Sequence, residues 1–180
     1  MSTNRILVAG IGNIFLGDDA FGVETVRSLM REPLPNHVHV VDFGIRGYDL
    51  AYALADDANK SVILVDAAPR GEAPGTVYHI EPDVSGLSRA ATLVNGHTLN
   101  PVTVLLMARS LNEEAIRPGR VHLVGCEPAV LESEDGSMEL SPSVSAAVPD
   151  AVQMIRHLIE QLLLEPNPGA TPEAARGEPS

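Results

Sequence analysis

Short apolar runs alternate along the chain with longer segments in which apolar residues recur at helical spacing. Four runs are nearly continuous in apolar residues and stop after five or six positions: residues 5–9, 38–42, 61–66 and 121–125. Each is too short for a helix, and its lack of alternation predicts a strand buried on both faces of a sheet. Residues 76–81, TVYHIE, alternate between apolar and polar types and predict a strand at the sheet edge.

The helical segments complete an α/β pattern. Apolar side chains at helical spacing predict helices over residues 20–30, 48–54 and 101–111, and a long final helix that opens at Ser141-Pro142 and reaches Leu162. Asp18 and Asp19 stand directly before the first helix, where acids favour a helix start, and Asp18 is the expected cap. Strands that alternate with helices predict a mostly parallel sheet covered by helices on both faces.

Composition indicates one folded domain, which we expect to span residues 1–164. Of the 180 residues, 44% are apolar and 20% are charged, as in ordinary globular proteins. Residues 165–180 contain four of the 14 prolines and no large apolar side chain. Such a segment buries too little to offset its ordering entropy, so we expect it to be a disordered tail.

Charge and cysteine content narrow the choice of partner and compartment. The net charge of −12 opposes binding to a phosphate backbone, so no nucleic-acid partner is expected. The single cysteine excludes an internal disulfide framework and favours a reducing compartment. Since no signal-peptide pattern and no apolar run of membrane-spanning length is present, we expect a cytoplasmic protein without a membrane span.

Acidic residues follow the predicted strands. Asp19 lies after the first strand, Asp42 and Asp66 end the second and third, and Glu127 follows the fifth, while His97 lies in a loop before a helix. The carboxyl ends of parallel strands share one edge, where ligands bind in open α/β sheets. Carboxylates with an imidazole suit zinc, nickel, iron or copper. Each residue also has a simpler interpretation, such as a helix cap for Asp19, a turn contact for Asp66 or an ordinary loop histidine for His97.

Several familiar motifs are incomplete. Gly10 and Gly12 with Asp42 resemble the start of a dinucleotide-binding fingerprint, but Phe15 occupies the position of the third glycine. The only lysine, Lys60, follows no glycine-rich loop, and no GxSxG segment occurs, which disfavours ATP chemistry and serine hydrolysis. Cys126 is expected to be a buried strand residue rather than a nucleophile. Packing or surface roles are expected for four other histidines: His39, His79, His122 and His157.

Five sequence blocks follow one another along the chain: GIGNIFLGDDAFG at 10–22, DFGIRGYDL at 42–50, VILVDAA at 62–68, GHTLNP at 96–101 and VGCEP at 124–128. Together they resemble the hydrogenase maturation proteases, over residues 5–164. The resemblance implies a three-layer α/β sandwich of the phosphorylase/hydrolase-like kind, with a central, mostly parallel, twisted sheet flanked by helices.

The resemblance also implies an activity. Members of this family are endopeptidases that remove a C-terminal extension from the precursor of the [NiFe] hydrogenase large subunit after nickel insertion. The implied partner is that precursor, the implied metal is nickel carried by the precursor, and no nucleotide cofactor is implied. Whether such a hydrolase works as an aspartic or a metal-dependent peptidase stays open.

The family's functional positions can be placed on this sequence. The residues implicated in metal contact fall on Asp19, Asp66 and His97, and Asp19 and Asp66 are also the candidate catalytic residues. The family's Asp-Gly-Gly-Thr segment, which shapes the substrate cleft, falls on Asp42 and Gly44.

This chain departs from the family pattern inside that cleft segment. Phe43 stands where the family has glycine, and Ile45 stands where it has threonine. The change removes a hydroxyl group and adds apolar bulk, so the contacts to the precursor are expected to differ in detail.

Other functions use the same features. A nickel or hydrogenase-assembly chaperone would employ the same acids and histidine without cleaving the precursor. A peptidyl-tRNA hydrolase also opens with a GxGN-like turn, but the acidic charge and the single lysine oppose it. A nucleotide-binding module is the third alternative.

Overall fold

The computed structural model describes residues 5–84, 101–131 and 138–164. Five strands form one sheet in the order β2-β1-β3-β5-β4. Their bounds are β1 Arg5–Ile11, β2 Val38–Gly44, β3 Asn59–Ala67, β4 Val77–Ile80 and β5 Val121–Cys126. All neighbouring pairs are parallel except β4 and β5, which pair in antiparallel fashion. The predicted mostly parallel sheet and its edge strand are therefore confirmed.

Helices cover both faces of this sheet. Their bounds are α1 Phe21–Leu29, α2 Gly47–Ala55, α3 Pro101–Leu111 and α4 Pro142–Leu164. One buried cluster joins α1 and α4 to the first face, and a second joins α2 and α3 to the other. This is the expected three-layer arrangement. Within the three described ranges, no helix combines the length and the hydropathy needed to cross a membrane.

The start of α1 packs directly on the backbone at the ends of β1 and β3. A Cβ atom on Gly22 would lie 2.1 Å from the carbonyl oxygen of Val65 and 2.2 Å from that of Ile11, so no side chain fits there. A Cβ atom on Gly10 would lie 2.6 Å from the Gly22 carbonyl oxygen. Gly22 therefore makes the close helix–strand approach, whereas Phe15 projects from the preceding loop with 64% of its surface exposed.

The predicted role of Asp18 as a cap of the first helix is wrong. Asp18 lies in a 3-10 turn, Gly17–Ala20, whose start shows no capping bond from a side chain. Its buried carboxylate instead accepts hydrogen bonds from the backbone N–H groups of Ala129 (2.8 Å), Val130 (3.0 Å) and Ser141 (2.7 Å), and from the Ser141 hydroxyl at 2.9 Å. These contacts tie the loop after β1 to the start of α4.

Replacing Gly22 with alanine should strongly destabilise the fold. The new methyl group meets backbone atoms that cannot rotate away, so we expect a loss of unfolding free energy of about 3 kcal/mol or more. Denaturant unfolding measures this loss, with Ser28→Ala on the same helix as the control. An equal, small effect of both substitutions would contradict the packing described for Gly22.

Replacing Asp18 with alanine should destabilise the chain by about 2–4 kcal/mol, because several buried donors lose a charged acceptor. Asp150→Ala, which removes an exposed carboxylate from α4, is the matched control and should change stability little. Thermal unfolding of both variants provides the comparison. Wild-type stability of Asp18→Ala would show that these hydrogen bonds do not hold α4 in place.

Candidate active site

The candidate site lies where the chain changes direction across the sheet. From β1 the chain passes to β2 on one side, and it then returns to β3 on the other side. The carboxyl ends of β1 and β3 therefore border the crevice in which open α/β sheets bind ligands. Asp19 follows β1, and Asp66 is the penultimate residue of β3. The structure thus brings these two sequence-predicted acids to one place.

A tight loop returns Asp19 to the end of β1. Asp19 accepts a hydrogen bond from the Asn13 backbone N–H at 2.7 Å. Gly12 has a φ of 138°, and a Cβ atom on it would lie only 1.8 Å from the Asp19 carbonyl oxygen. Glycine is required here because the loop folds back against its own first residue. Partial burial raises the pKa of Asp19, and the hydrogen bond from Asn13 opposes that rise.

Asp66 is the more deeply buried of the two acids, with 6% of its surface exposed. Burial holds the pKa of Asp66 well above its ordinary value, and the negative charge of Asp19 raises it further. The backbone N–H of Ala67 acts in the opposite direction. Two carboxylates that disfavour each other's ionisation retain a proton between them or gain from a nearby cation. The pair can therefore donate or accept a proton, and it can supply oxygen ligands to a metal ion.

The third predicted metal-contacting residue, His97, lies outside the described residues. Within residues 5–84, 101–131 and 138–164, no three His, Cys, Asp or Glu side chains are grouped to hold a metal ion. The two carboxylates are thus the part of the predicted ligand set that the structure describes.

Asp42 and Gly44 lie in a cleft beside the acid pair. The cleft has a volume of about 320 Å³, and residues 12–15, Arg27 and residues 42–46 line it. Asp42 forms an ion pair with Arg27 at 3.0 Å, while the Gly44 carbonyl oxygen accepts a hydrogen bond from the Gly12 N–H at 3.0 Å. Both predicted substrate-binding residues are therefore on the cleft wall, and Gly44 is joined to the loop that carries Asp19.

Apolar side chains form the rim of this cleft. Ile14, Phe15 and Ile45 expose 37%, 64% and 65% of their surfaces. Exposed apolar groups around a concave surface are typical of a protein- or peptide-binding site. Phe43 also lines the cleft, but its side chain is buried in the core cluster that joins α2 and α3 to the sheet.

Cys126 and the described histidines do not join the site. Burial raises the pKa of Cys126 to about 11, with the negative charges of Asp18 and Glu127 adding to the effect, so a thiolate nucleophile is disfavoured. His79 and His122 pair with each other, at 3.1 Å between ring nitrogens, on β4 and β5. His39 and His157 are exposed. The packing and surface roles expected for these residues are confirmed.

Sequence reasoning missed Asn13 and Tyr78 as contributors to the site region, and it placed Glu127 at this edge without its role. Asn13 supplies the N–H that holds Asp19, Glu127 binds the backbone of the loop after β3, and Tyr78 reaches toward Asp66 from β4. The sequence offered a signal for Tyr78 in Gly125, since an isolated glycine within a strand indicates a close approach by another group. That group is the Tyr78 ring.

Asp66→Asn should stabilise the metal-free chain at neutral pH. The folded state raises the pKa of Asp66, so the unfolded chain loses this proton first, from about pH 3.9. The unfolding free energy contributed by Asp66 therefore falls as pH rises through the folded-state pKa. The asparagine variant avoids that fall and should gain about 2–4 °C in Tm for each kcal/mol of relieved charge burial.

Thermal unfolding between pH 4 and pH 8 checks this expectation, with exposed Asp150→Asn as the control. The Tm advantage of Asp66→Asn should shrink toward pH 4. If the Tm advantage is absent or does not depend on pH, Asp66 is not a buried carboxyl group with a raised pKa.

Comparison with known proteins points to one family. The sequence model of the family described as hydrogenase maturation protease matches residues 23–158, a range that includes Asp42, Asp66 and His97 and begins after Asp19. The hydrogenase 2 maturation protease of Escherichia coli is 36% identical over 155 residues, which cover 84% of this chain and 88% of that relative.

Solved structures show the same fold. The hydrogenase maturating endopeptidase HybD from Escherichia coli has a TM-score of 0.70 at 28% identity, covering 87% of this chain and 93% of its own. The hydrogenase 2 maturation peptidase from a Thaumarchaeota archaeon has a TM-score of 0.62 at 32% identity, covering 86% and 97%. Fold and sequence agree, and this chain belongs to the hydrogenase maturation protease family of endopeptidases.

Proposed function

We propose that this chain removes a C-terminal extension from the precursor of the [NiFe] hydrogenase large subunit, in the cytoplasm and after nickel insertion. The observation that carries the proposal is the Asp19–Asp66 pair at the ends of β1 and β3. Both carboxyl groups are partly or fully removed from water, so a cation in the crevice would stabilise their ionised forms. Nickel bound in the precursor supplies such a charge.

Recognition then depends on the metal that the substrate carries. Asp19 and Asp66 offer oxygen ligands, and His97 is the proposed nitrogen ligand. A precursor without nickel offers the acid pair no cation, so its affinity is lower. The enzyme therefore processes only precursor in which metal insertion is complete.

Cleavage requires activation of a water molecule near the scissile carbonyl group. Asp19, which is half-buried and accepts a hydrogen bond from the cleft residue Asn13, accepts a proton from that water as a general base. The proton taken up by Asp19 can then pass to the leaving amine, while Asp66, ionised once it faces the nickel ion of the precursor, would hold that ion in place. The apolar rim and the wall formed by Asp42 and Gly44 hold the precursor segment in the cleft.

Intact mass of the precursor tests the proposal. Nickel-loaded and nickel-free precursor are incubated with the chain, and loss of a C-terminal peptide is expected only from the loaded sample. Asp19→Asn and Asp66→Asn should each reduce the cleavage rate by about 100-fold or more. Asp150→Asn, which changes an exposed acid on α4, should cleave at the wild-type rate.

The outcomes separate the alternatives. Cleavage of both precursor forms would exclude the nickel requirement. Nickel-dependent binding without any change of precursor mass would replace the protease with a chaperone that uses the same residues. Normal cleavage by either asparagine variant would remove that residue from the catalytic assignment.

A further inference from the structure

The segment after β3, residues 68–71, begins two positions beyond Asp66 and is fixed from the neighbouring strands. The Ala68 N–H donates to the Cys126 carbonyl oxygen at 3.0 Å. The Ala68 carbonyl oxygen accepts a hydrogen bond from the Tyr78 hydroxyl at 2.7 Å. The segment is therefore held at its first residue by β5 on one side and by a side chain of β4 on the other.

Glu127 holds the next part of the same segment. Its buried carboxylate accepts hydrogen bonds from the backbone N–H groups of Arg70 at 2.6 Å and Gly71 at 3.3 Å. These hydrogen bonds, with Arg70 first among them, keep the pKa of Glu127 below its ordinary value. Glu127 is thus ionised and serves as a hydrogen-bond acceptor for the segment after β3. We therefore assign the catalytic roles to other acids.

Tyr78, Gly125 and Asp66 form one row across the sheet. Gly125 is the register partner of Tyr78 on β4 and of Asp66 on β3, so the three residues face the same side. A Cβ atom on Gly125 would lie 2.4–2.5 Å from the hydroxyl end of the Tyr78 ring. The missing side chain lets the ring extend across β5 toward Asp66.

The Tyr78 ring also contacts the side chain of Arg70. The Arg70 guanidinium lies 4.8 Å from the centre of the Tyr78 ring, in cation–π geometry. Burial raises the pKa of Tyr78 to about 12, so the phenol keeps its proton and donates to Ala68 at neutral pH. The charge of Asp66 contributes to that rise, so the two side chains lie within electrostatic reach of each other.

We infer that Tyr78 is a positioning residue for Asp66. Its ring forms the wall beside the carboxylate on the β4 side, and its hydroxyl fixes the Ala68 carbonyl, so that Asp66 is presented only to the crevice above β1 and β3. The inference rests on the proposed function, because it concerns how Asp66 is held for the reaction. Tyr78 itself contacts neither the precursor nor the reacting atoms.

Cleavage kinetics of nickel-loaded precursor test the role of Tyr78. Tyr78→Phe keeps the ring and removes the hydrogen bond to Ala68, so kcat should fall about 5- to 10-fold while KM changes less than about twofold. Tyr78→Leu removes the wall too and should lower kcat by about 100-fold. Tyr52→Phe, on the exposed face of α2, is the matched control and should keep wild-type kinetics.

Hydrogen exchange provides a readout that does not depend on catalysis. In Tyr78→Phe the amides of Ala68, Arg70 and Gly71 should exchange faster than in Tyr52→Phe, while the Tm of both variants stays within about 4 °C of wild type. A purely structural tyrosine would lower Tm and leave kcat of the folded fraction unchanged.

The failures are distinguishable. If wild type cleaves the precursor and Tyr78→Phe matches Tyr52→Phe in both kcat and exchange, the inference on Tyr78 is overturned and the proposed function stands. If wild type does not cleave nickel-loaded precursor, the proposed function is overturned, and the positioning role of Tyr78 falls with it.

Discussion

Backbone-to-backbone packing at Gly22 is the constraint on which the site depends. It places the first turn of α1 directly on the carboxyl ends of β1 and β3, with no side chain between them. The chain leaving β1 must therefore turn back sharply before the helix begins. Gly12 makes that turn possible because it has no side chain, so the Asp19 carbonyl group packs directly against its backbone. Asp19 consequently lies beside Asp66.

Two adjacent acids in this loop have opposite electrostatic situations. Asp18 is fully buried, yet its carboxylate is surrounded by donors from two distant segments, so its charge is stabilised. Asp19 accepts a hydrogen bond from the Asn13 backbone and faces a second, deeply buried acid. The fold thus uses the Asp18 carboxylate to hold distant segments together and leaves the Asp19 carboxylate available to the site. A pair of acids with raised pKa values costs free energy of folding, which is common at functional sites.

The sequence predicts those features that depend on local pattern. Apolar runs predict the strands, and the shared carboxyl edge of parallel strands is sufficient to bring Asp19 and Asp66 together. The prediction for Asp18 fails because its partners lie 111 to 123 positions further along the chain, beyond any local capping signal. The reach of Tyr78 depends on the register of β4 against β5, which the sequence pattern does not define. His97 stays a prediction.

The hydrogen bond from the Gly12 N–H to the Gly44 carbonyl oxygen joins the two walls of the cleft, and the Arg27–Asp42 ion pair joins α1 to the wall that carries Gly44. The walls are thereby fixed relative to each other before any partner arrives. Ordering them is part of folding, so association loses little conformational entropy in the enzyme and the cleft is preorganised. Differences in affinity among partner segments should then reside in how long each complex survives, since the rate of encounter varies little for a rigid surface.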